Sequence, residues 1–287
     1  MSSPGENNKY WDVIIKPNTS LLKLNLKEVW TYRDLLMLMI RRDIVSFYKQ
    51  TILGPLWFLI QPLFTTFIFV IIFGNLAKIS TDGLPQVLFY LTGIVAWNYF
   101  SDCLTKTASI FKDNAHIFGK VYFPRLIMPL SLVFSNLIRF AIQFVVLILI
   151  CAYFVFFKGF QFEWNFALLL LPLFVFMMAF LALGFGMIIS SLTTKYRDLA
   201  FLLTFGIQLF MYATPIIYPF SAAPEKYKSI ILMNPMTTIV EGFRFALLGK
   251  GEFTTFGLLY LIGFTIITFF LGLIIFNKVE KNFMDTV

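Results

Sequence analysis

The sequence predicts an all-α integral membrane protein with six transmembrane helices, an N-terminal amphipathic interface helix, and a re-entrant external segment between the fifth and sixth spans. Composition is the first reason. Of 287 residues, 59% are hydrophobic and only 13% charged, whereas a soluble globular chain carries about 45–50% apolar and about 25% charged residues. So little charge cannot solvate the surface of a 33.2 kDa globule, and disorder would need low hydrophobicity with high net charge. Second, the apolar residues form long unbroken runs, not the alternating strands of about ten residues that build a transmembrane barrel. Third, Lys and Arg are distributed unevenly between the connections. The chain thus divides into an N-terminal region, 1–54, and a six-span domain, 55–287.

Residues 1–34 are mixed and polar, without the short apolar run and small-residue cleavage site of a signal peptide. An amphipathic helix follows over 35–50, where Met37, Ile40, Ile44, Phe47 and Tyr48 recur at helical spacing. Arg41, Arg42, Ser46, Lys49 and Gln50 fall on the opposite face. Such a helix lies in the headgroup plane with its basic side toward water and anionic lipid. It either anchors the chain or docks a cytoplasmic partner. Gly54 and Pro55 then break it.

Six stretches, 55–77, 84–102, 129–157, 166–192, 199–217 and 254–276, offer the roughly 20 apolar residues needed to cross about 30 Å of hydrocarbon. Asn98, Ser101 and Asp102 are expected to end the second early, while the third and fourth must tilt or project. The 103–122 connection carries a weaker stripe, Leu104, Ala108, Phe111, Ala115 and Phe118, opposite Lys106, Lys112 and Asp113. It is either a helix that a partner pushes or packing against the chain's own helix ends. The external stretch 218–253 contains Pro219, Pro224 and Pro235, then an apolar run, Met236 to Leu248, too short to span. This reads as a broken helical pair dipping back from the outer face, serving as a gate or as a surface cap.

With the N-terminus inside, the cytoplasmic segments 1–54, 103–128, 193–198 and 277–287 hold sixteen Lys and Arg, against six in the external segments 78–83, 158–165 and 218–253. The positive-inside rule therefore places both termini in the cytoplasm. The net charge of +8 is accounted for by orientation and lipid headgroups, with no need of nucleic acid.

Arg139 is the conspicuous charge within a span. It either faces a cavity or partner, or snorkels to the inner headgroups. Gln61, Asn136, Gln143 and Gln208 add polar groups at membrane depth, where interhelical hydrogen bonds are the plain role. Most of the 37 Phe residues are expected to face lipid or pack between helices. Trp57, Phe58, Phe64, Phe205, Phe210 and Tyr212 are candidates for a flat, weakly polar path for sugar rings. Catalytic signatures are missing: there is no G-x-x-x-x-G-K-[ST] loop, no H-E-x-x-H and no G-x-S-x-G. One His and two Cys make no metal site, and a membrane-bound enzyme has no visible residue set.

Five groups of residues, in order, resemble one family, the permease subunits of ABC exporters for cell-surface polysaccharides (O-antigen, capsule and teichoic acid). They are Arg42-Asp43-Ile44 through Tyr48 to Leu53-Gly54-Pro55-Leu56-Trp57 and Gln61-Pro62; Val121-Tyr122-Phe123-Pro124-Arg125 with Pro129-Leu130; Tyr196-Arg197-Asp198-Leu199; Gln208 to Pro219; and Asn234-Pro235 followed by Glu241, Phe243, Arg244 and Gly249. The similarity covers about residues 33–285. It implies a homodimer of six-span subunits in the bacterial inner membrane, joined to two copies of a cytoplasmic ABC ATPase subunit that binds ATP and Mg, with no cofactor on this chain. It implies a lipid-linked glycan as cargo, and a transport subunit rather than an enzyme.

By the same resemblance, Arg41, Arg42, Asp43 and Lys49 belong to the ATPase interface, Phe111, Lys112 and Asp113 to a coupling helix, and Arg197 and Asp198 to a second cytoplasmic contact. Trp57, Phe58, Gln61, Phe64, Arg139, Gln208, Phe210, Tyr212, Pro215, Tyr218, Asn234, Pro235, Glu241 and Arg244 fall to the path and its external gate. Val45 and Phe47 depart from the basic residues expected there, and Thr51 from the commoner Ser. A drug or small-lipid exporter permease of the same architecture is the alternative cargo class, and a scaffold or channel without an energy source the alternative mechanism. Residues 1–32 have no assigned role.

Overall fold

The computed structural model describes residues 26–49, 52–114, 123–161, 165–196 and 198–283, and among them every regular element is helical. Helix α1 (Leu26–Thr31) leads into α2 (Arg33–Tyr48), which lies along α6 (Ile127–Lys158). The face of α2 turned to the bundle carries Leu35, Leu36 and Met39, with Asp43 one turn further on, while Met37 is 68% exposed. Met37 belongs to the stripe expected to lie in the headgroup plane, and the face packed on the protein is a second apolar face of the same helix.

Gly54, at φ 51°, turns the chain from α2 toward α3 (Trp57–Phe69), a conformation glycine adopts without steric cost. Helix α3 holds Pro62 in its interior and continues as a π-helical stretch, Val70–Leu76. Helix α4 (Gln86–Ala108) occupies the centre, packed against α3, α6, α7 (Leu171–Lys195) and α10 (Pro235–Leu248). It does not stop at Asp102 as the composition suggests. The helix runs on to Ala108 because Asp102 has a partner inside the protein, Arg139 at 3.1 Å. A short α5 (Ile110–Asp113) follows; the 115–122 part of the expected coupling helix lies outside the described residues.

Helices α7 and α11 (Thr255–Phe283) are in backbone contact. A Cβ at Gly272 would come within 2.4 Å of the Gly184 carbonyl oxygen. One glycine from each helix permits this approach, although no G-x-x-x-G spacing occurs in the chain.

The expected fifth span, 199–217, differs most from expectation. Helix α8 (Leu199–Ala213) has 15 residues and is about 22 Å long at 1.5 Å per residue, short of the hydrocarbon thickness. Pro215 is the cause, since it has no N–H and disfavours helical backbone at the preceding residue. Thr214 is accordingly extended, with ψ 140°. Among the described residues, five helices are long and apolar enough to cross a membrane; a sixth crossing is available if the bent pair α9 (Glu225–Met233) and α10 is counted as one. That pair is bent by 99° at Asn234. Thr237 Oγ1 donates to the Ile231 carbonyl at 2.7 Å and Tyr260 to that of Met233 at 2.7 Å, so the end of α9 is satisfied across the bend.

Candidate functional site

The break after α8 leaves backbone carbonyls without helical partners deep in an apolar protein, where unpaired polar groups are costly. Arg244 from α10 resolves this. Its guanidinium donates to the carbonyls of Pro215 and Ile216, the latter at 2.9 Å, and to Glu241 Oε1 at 2.8 Å. Glu241 Oε2 accepts from the Glu252 amide at 3.1 Å. The Phe89 ring covers the guanidinium at 3.6 Å, and Gly93 leaves room for it beside Ile216. Arg244 is 1% exposed and Glu241 3%. Asn234 closes the other end: its Oδ1 caps α10 at the Met236 amide (2.9 Å), and its Nδ2 donates to Thr214 Oγ1 (2.8 Å). Pro215, Asn234, Pro235, Glu241 and Arg244, read as one region, do converge, with Tyr218 half-buried beside them. The arrangement ties the non-helical turn at 214–217 to α10 as one body.

Two other helices present a different surface. On α3, Trp57, Gln61 and Phe64 are exposed; on α8, Phe205, Gln208 and Tyr212 are exposed, and no residue of α8 is fully buried. Lipid tails offer no partner to the amides of Gln61 and Gln208. The remaining aromatic candidates are packed inward. Phe210 meets Trp97 at 5.8 Å and Phe100 at 6.1 Å, and Phe58 lies under the Arg139 guanidinium at 4.7 Å. An apolar cavity of about 420 Å³ separates α8 from α4 and α7, lined among others by Phe100, Leu104, Ile189, Leu203 and Phe210.

A polar cluster stands where α2, α3, α4 and α6 meet. Asn136, Arg139 and Gln143 form one stripe on α6, spaced three and four residues apart as one helix face requires. Arg139 pairs with Asp102, so it has a protein partner and does not reach for headgroups. Gln143 Nε2 donates to the Phe58 carbonyl at 3.1 Å. That carbonyl would bond residue 62 in an ordinary helix, but Pro62 has no N–H to give. Lys106 Nζ donates to Asn136 Oδ1 at 3.4 Å.

Of the expected coupling residues, Arg41, Arg42, Lys49, Lys112, Asp113 and Asp198 are exposed. Asp43 is turned inward, holding Arg42 at 2.8 Å. Phe111 is buried and stacks on Phe276 of α11 at 4.8 Å, as part of the core. Arg197 lies outside the described residues. Sequence reading missed Asp102 and Lys106 as partners of α6. The available signal was an Asp and an Arg, each within an apolar run. Among the described residues no three His, Cys, Asp or Glu converge as metal ligands.

A family model described as ABC-2 type transporter matches residues 34–248. The chain is 30% identical over 255 residues to the O-antigen export system permease protein RfbA of Klebsiella pneumoniae, covering 88% of this chain and 94% of that one. It is 24% identical over 246 residues to the polysialic acid transport protein KpsM of Escherichia coli, covering 85% and 93%. It is 23% identical over 252 residues to the capsule polysaccharide export inner-membrane protein CtrC of Neisseria meningitidis serogroup B, covering 85% and 90%.

Proposed function

The chain belongs to the ABC-2 type transporter family, and we propose that it is the membrane-spanning subunit of an ATP-driven exporter that moves a lipid-linked polysaccharide across the bacterial inner membrane. The observation that carries this is end-to-end similarity to an O-antigen export permease at 30% identity. The names of the capsule and polysialic acid relatives favour a glycan over the drug or small-lipid alternative. ATP and Mg belong to a separate ATPase subunit, present in two copies, that docks on the α2 end of a homodimer of this chain. The uneven basic charge supports placing that end, and both termini, in the cytoplasm.

In this reading the exposed faces of α3 and α8 meet across the dimer and line the path. Gln61 and Gln208 supply hydrogen bonds, and Trp57, Phe64, Phe205 and Tyr212 supply flat surfaces for sugar rings. The bent pair α9–α10 is a re-entrant external gate, shaped by Arg244 and Glu241. The exposed basic residues of α2, with Lys112, Asp113, Arg197 and Asp198, contact the ATPase. The test is affinity purification in gentle detergent from the native host, followed by reconstitution with the recovered ATPase and glycan lipid. A stoichiometric ATPase and ATP-dependent glycan export are expected. A homo-oligomer that recovers no ATPase in several detergents would overturn the proposal in favour of a channel or scaffold.

A further inference from the structure

We propose that the apolar cavity between α8, α4 and α7 is a lipid site, and that it takes one acyl chain of an anionic inner-leaflet phospholipid whose headgroup lies against Lys195. The inference rests on the reading that the turn between α7 and α8 faces the cytoplasm.

Every side chain lining the cavity is hydrocarbon. Phe100 and Leu104 of α4, both buried, form its floor, while Leu192 and Leu202, both exposed, stand at its rim. Its volume of about 420 Å³ exceeds the apolar cavity of about 150 Å³ that stays dry inside a protein. Water gains nothing there, because a trapped molecule needs two to four polar partners. Left empty, the space forfeits the dispersion contacts of every group around it. In a membrane the material at hand to fill it is an acyl chain.

Helix α8 is fixed at the far end of the cavity and is not free to close it there. Phe210 packs on Trp97 and Phe100, and Thr214 beyond it accepts from Asn234. Midway, Gly206 faces the cavity, and a Cβ on it would meet nothing within 4 Å. Along α8 the lining runs from Leu199 to Phe210, about 16 Å at 1.5 Å per residue. That is the depth of one leaflet in a hydrocarbon core of about 30 Å.

The other end of the cavity lies at the turn after α7. Phe185, Ile189 and Leu192 line it at spacings of four and three residues, and Lys195 continues the same face one turn on. Lys195 is exposed, with Nζ 5.3 Å above the ring of Tyr196. A cation at the point where an apolar stripe ends complements a lipid phosphate. Asp198 nearby begins α8, where the helix N-terminus favours a carboxylate. The bound chain is a wedge: it holds α8 off α4 and α7 while the far side of α8 presents Phe205, Gln208 and Tyr212.

The experiment places the chain, with whatever subunits copurify, in phosphatidylethanolamine vesicles holding a minor share of phosphatidylglycerol that carries a photoactivatable group midway along one acyl chain. Labelling is expected to concentrate on Phe100, Leu104 and the facing residues of α7 and α8, and to be displaced by unlabelled phosphatidylglycerol. Gly206→Leu fills the space from α8 and Ile189→Phe from α7, and each should bring that labelling near background. Leu209→Phe, on the exposed side of α8, should leave it unchanged. Lys195→Gln should weaken phosphatidylglycerol binding about fivefold, the effect of one basic residue at an anionic lipid surface, and leave phosphatidylethanolamine binding unchanged. Labelling spread evenly over the lipid-facing helices, or wild-type labelling in both filled variants, would overturn the site. So would unlabelled Phe100 and Leu104, which would mean that α8 closes on α4 or that a second copy fills the space, and so would displacement by a polyprenyl phosphate but not by phosphatidylglycerol, which would make it a cargo site. The readout needs neither ATPase nor glycan, so its failure is separate from failure of the export reading. Orientation is checked with Lys195→Cys, the native cysteines being buried. Reaction with an impermeant maleimide in intact spheroplasts overturns the cytoplasmic placement and the inner-leaflet lipid with it.

Discussion

Helices α3 and α4 are neighbours in sequence with opposite surroundings. Helix α4 is the least apolar of the five long helices and the most buried, whereas α3 is strongly apolar and the least buried. In water the ordering would be reversed. In a membrane the lipid competes with the interior for apolar surface and offers nothing to polar groups, so polar residues are drawn inside where they find partners. The same contrast separates α10, nearly all buried, from α8, with no fully buried residue. The buried pair α4 and α10 finds partners for its charged groups within the chain, Asp102 with Arg139, Lys106 with Asn136 and Glu241 with Arg244. The peripheral pair α3 and α8 exposes Gln61 and Gln208, which this chain alone leaves facing outward. The difference separates the half of the molecule that holds the fold together from the half to which the proposed path is assigned.

The sharpest way to break that comparison is Arg244→Met. It leaves the Glu241 carboxylate buried and the 215 and 216 carbonyls unpaired, and losing one member of a buried pair costs about 3–5 kcal/mol. Little folded, monodisperse protein is expected on size exclusion, with partial recovery when Glu241→Gln is added. Wild-type thermal stability in Arg244→Met would mean that the buried region does not hold the break together. Next comes a pair of glycine changes. Gly272→Ala drives a methyl into the Gly184 carbonyl and should destabilise by about 1–3 kcal/mol or more through overpacking. Gly206→Ala on α8 meets nothing within 4 Å and should be neutral or stabilising by about 0.4–1 kcal/mol. Equal melting shifts for the two would erase the distinction between the regions.

Asn234→Ala removes a helix cap together with its bond to Thr214, at a cost of about 1 kcal/mol, read as a lower melting midpoint in detergent. The smallest stability effect belongs to Gln61→Leu and Gln208→Leu, which should stay within about 0.5 kcal/mol of wild type yet reduce export in the reconstituted complex. If export is unaffected, these faces meet lipid and not the path.

Much of this was open to sequence reading. The apolar runs, the short stretch after Pro235 and the helix ahead of Gly54-Pro55 all appear as elements, because apolar periodicity and proline act locally. Pro215 in the fifth stretch was just as visible, but its consequence for the length of α8 is easily lost in an apolar run. The site was less legible. Asp102 looks like a span terminator until Arg139, 37 residues away, is seen beside it. Phe111 looks like a contact for a partner until Phe276 is found stacked on it. The Met37 stripe looks like the single apolar face of α2 until Leu35, Leu36 and Met39 are found packed on the bundle.

The sequence by itself determined the solvent of this protein, the number of apolar stretches and the places where helices break, since each depends on residues within a turn or two of one another. The tertiary structure alone decided which charges meet, which broken backbone Arg244 repairs and which glutamines stay exposed. Those outcomes depend on distances between segments far apart in the chain. In an interior where an unpaired polar group is costly and a paired one is stable, a shift of a few ångströms decides between them.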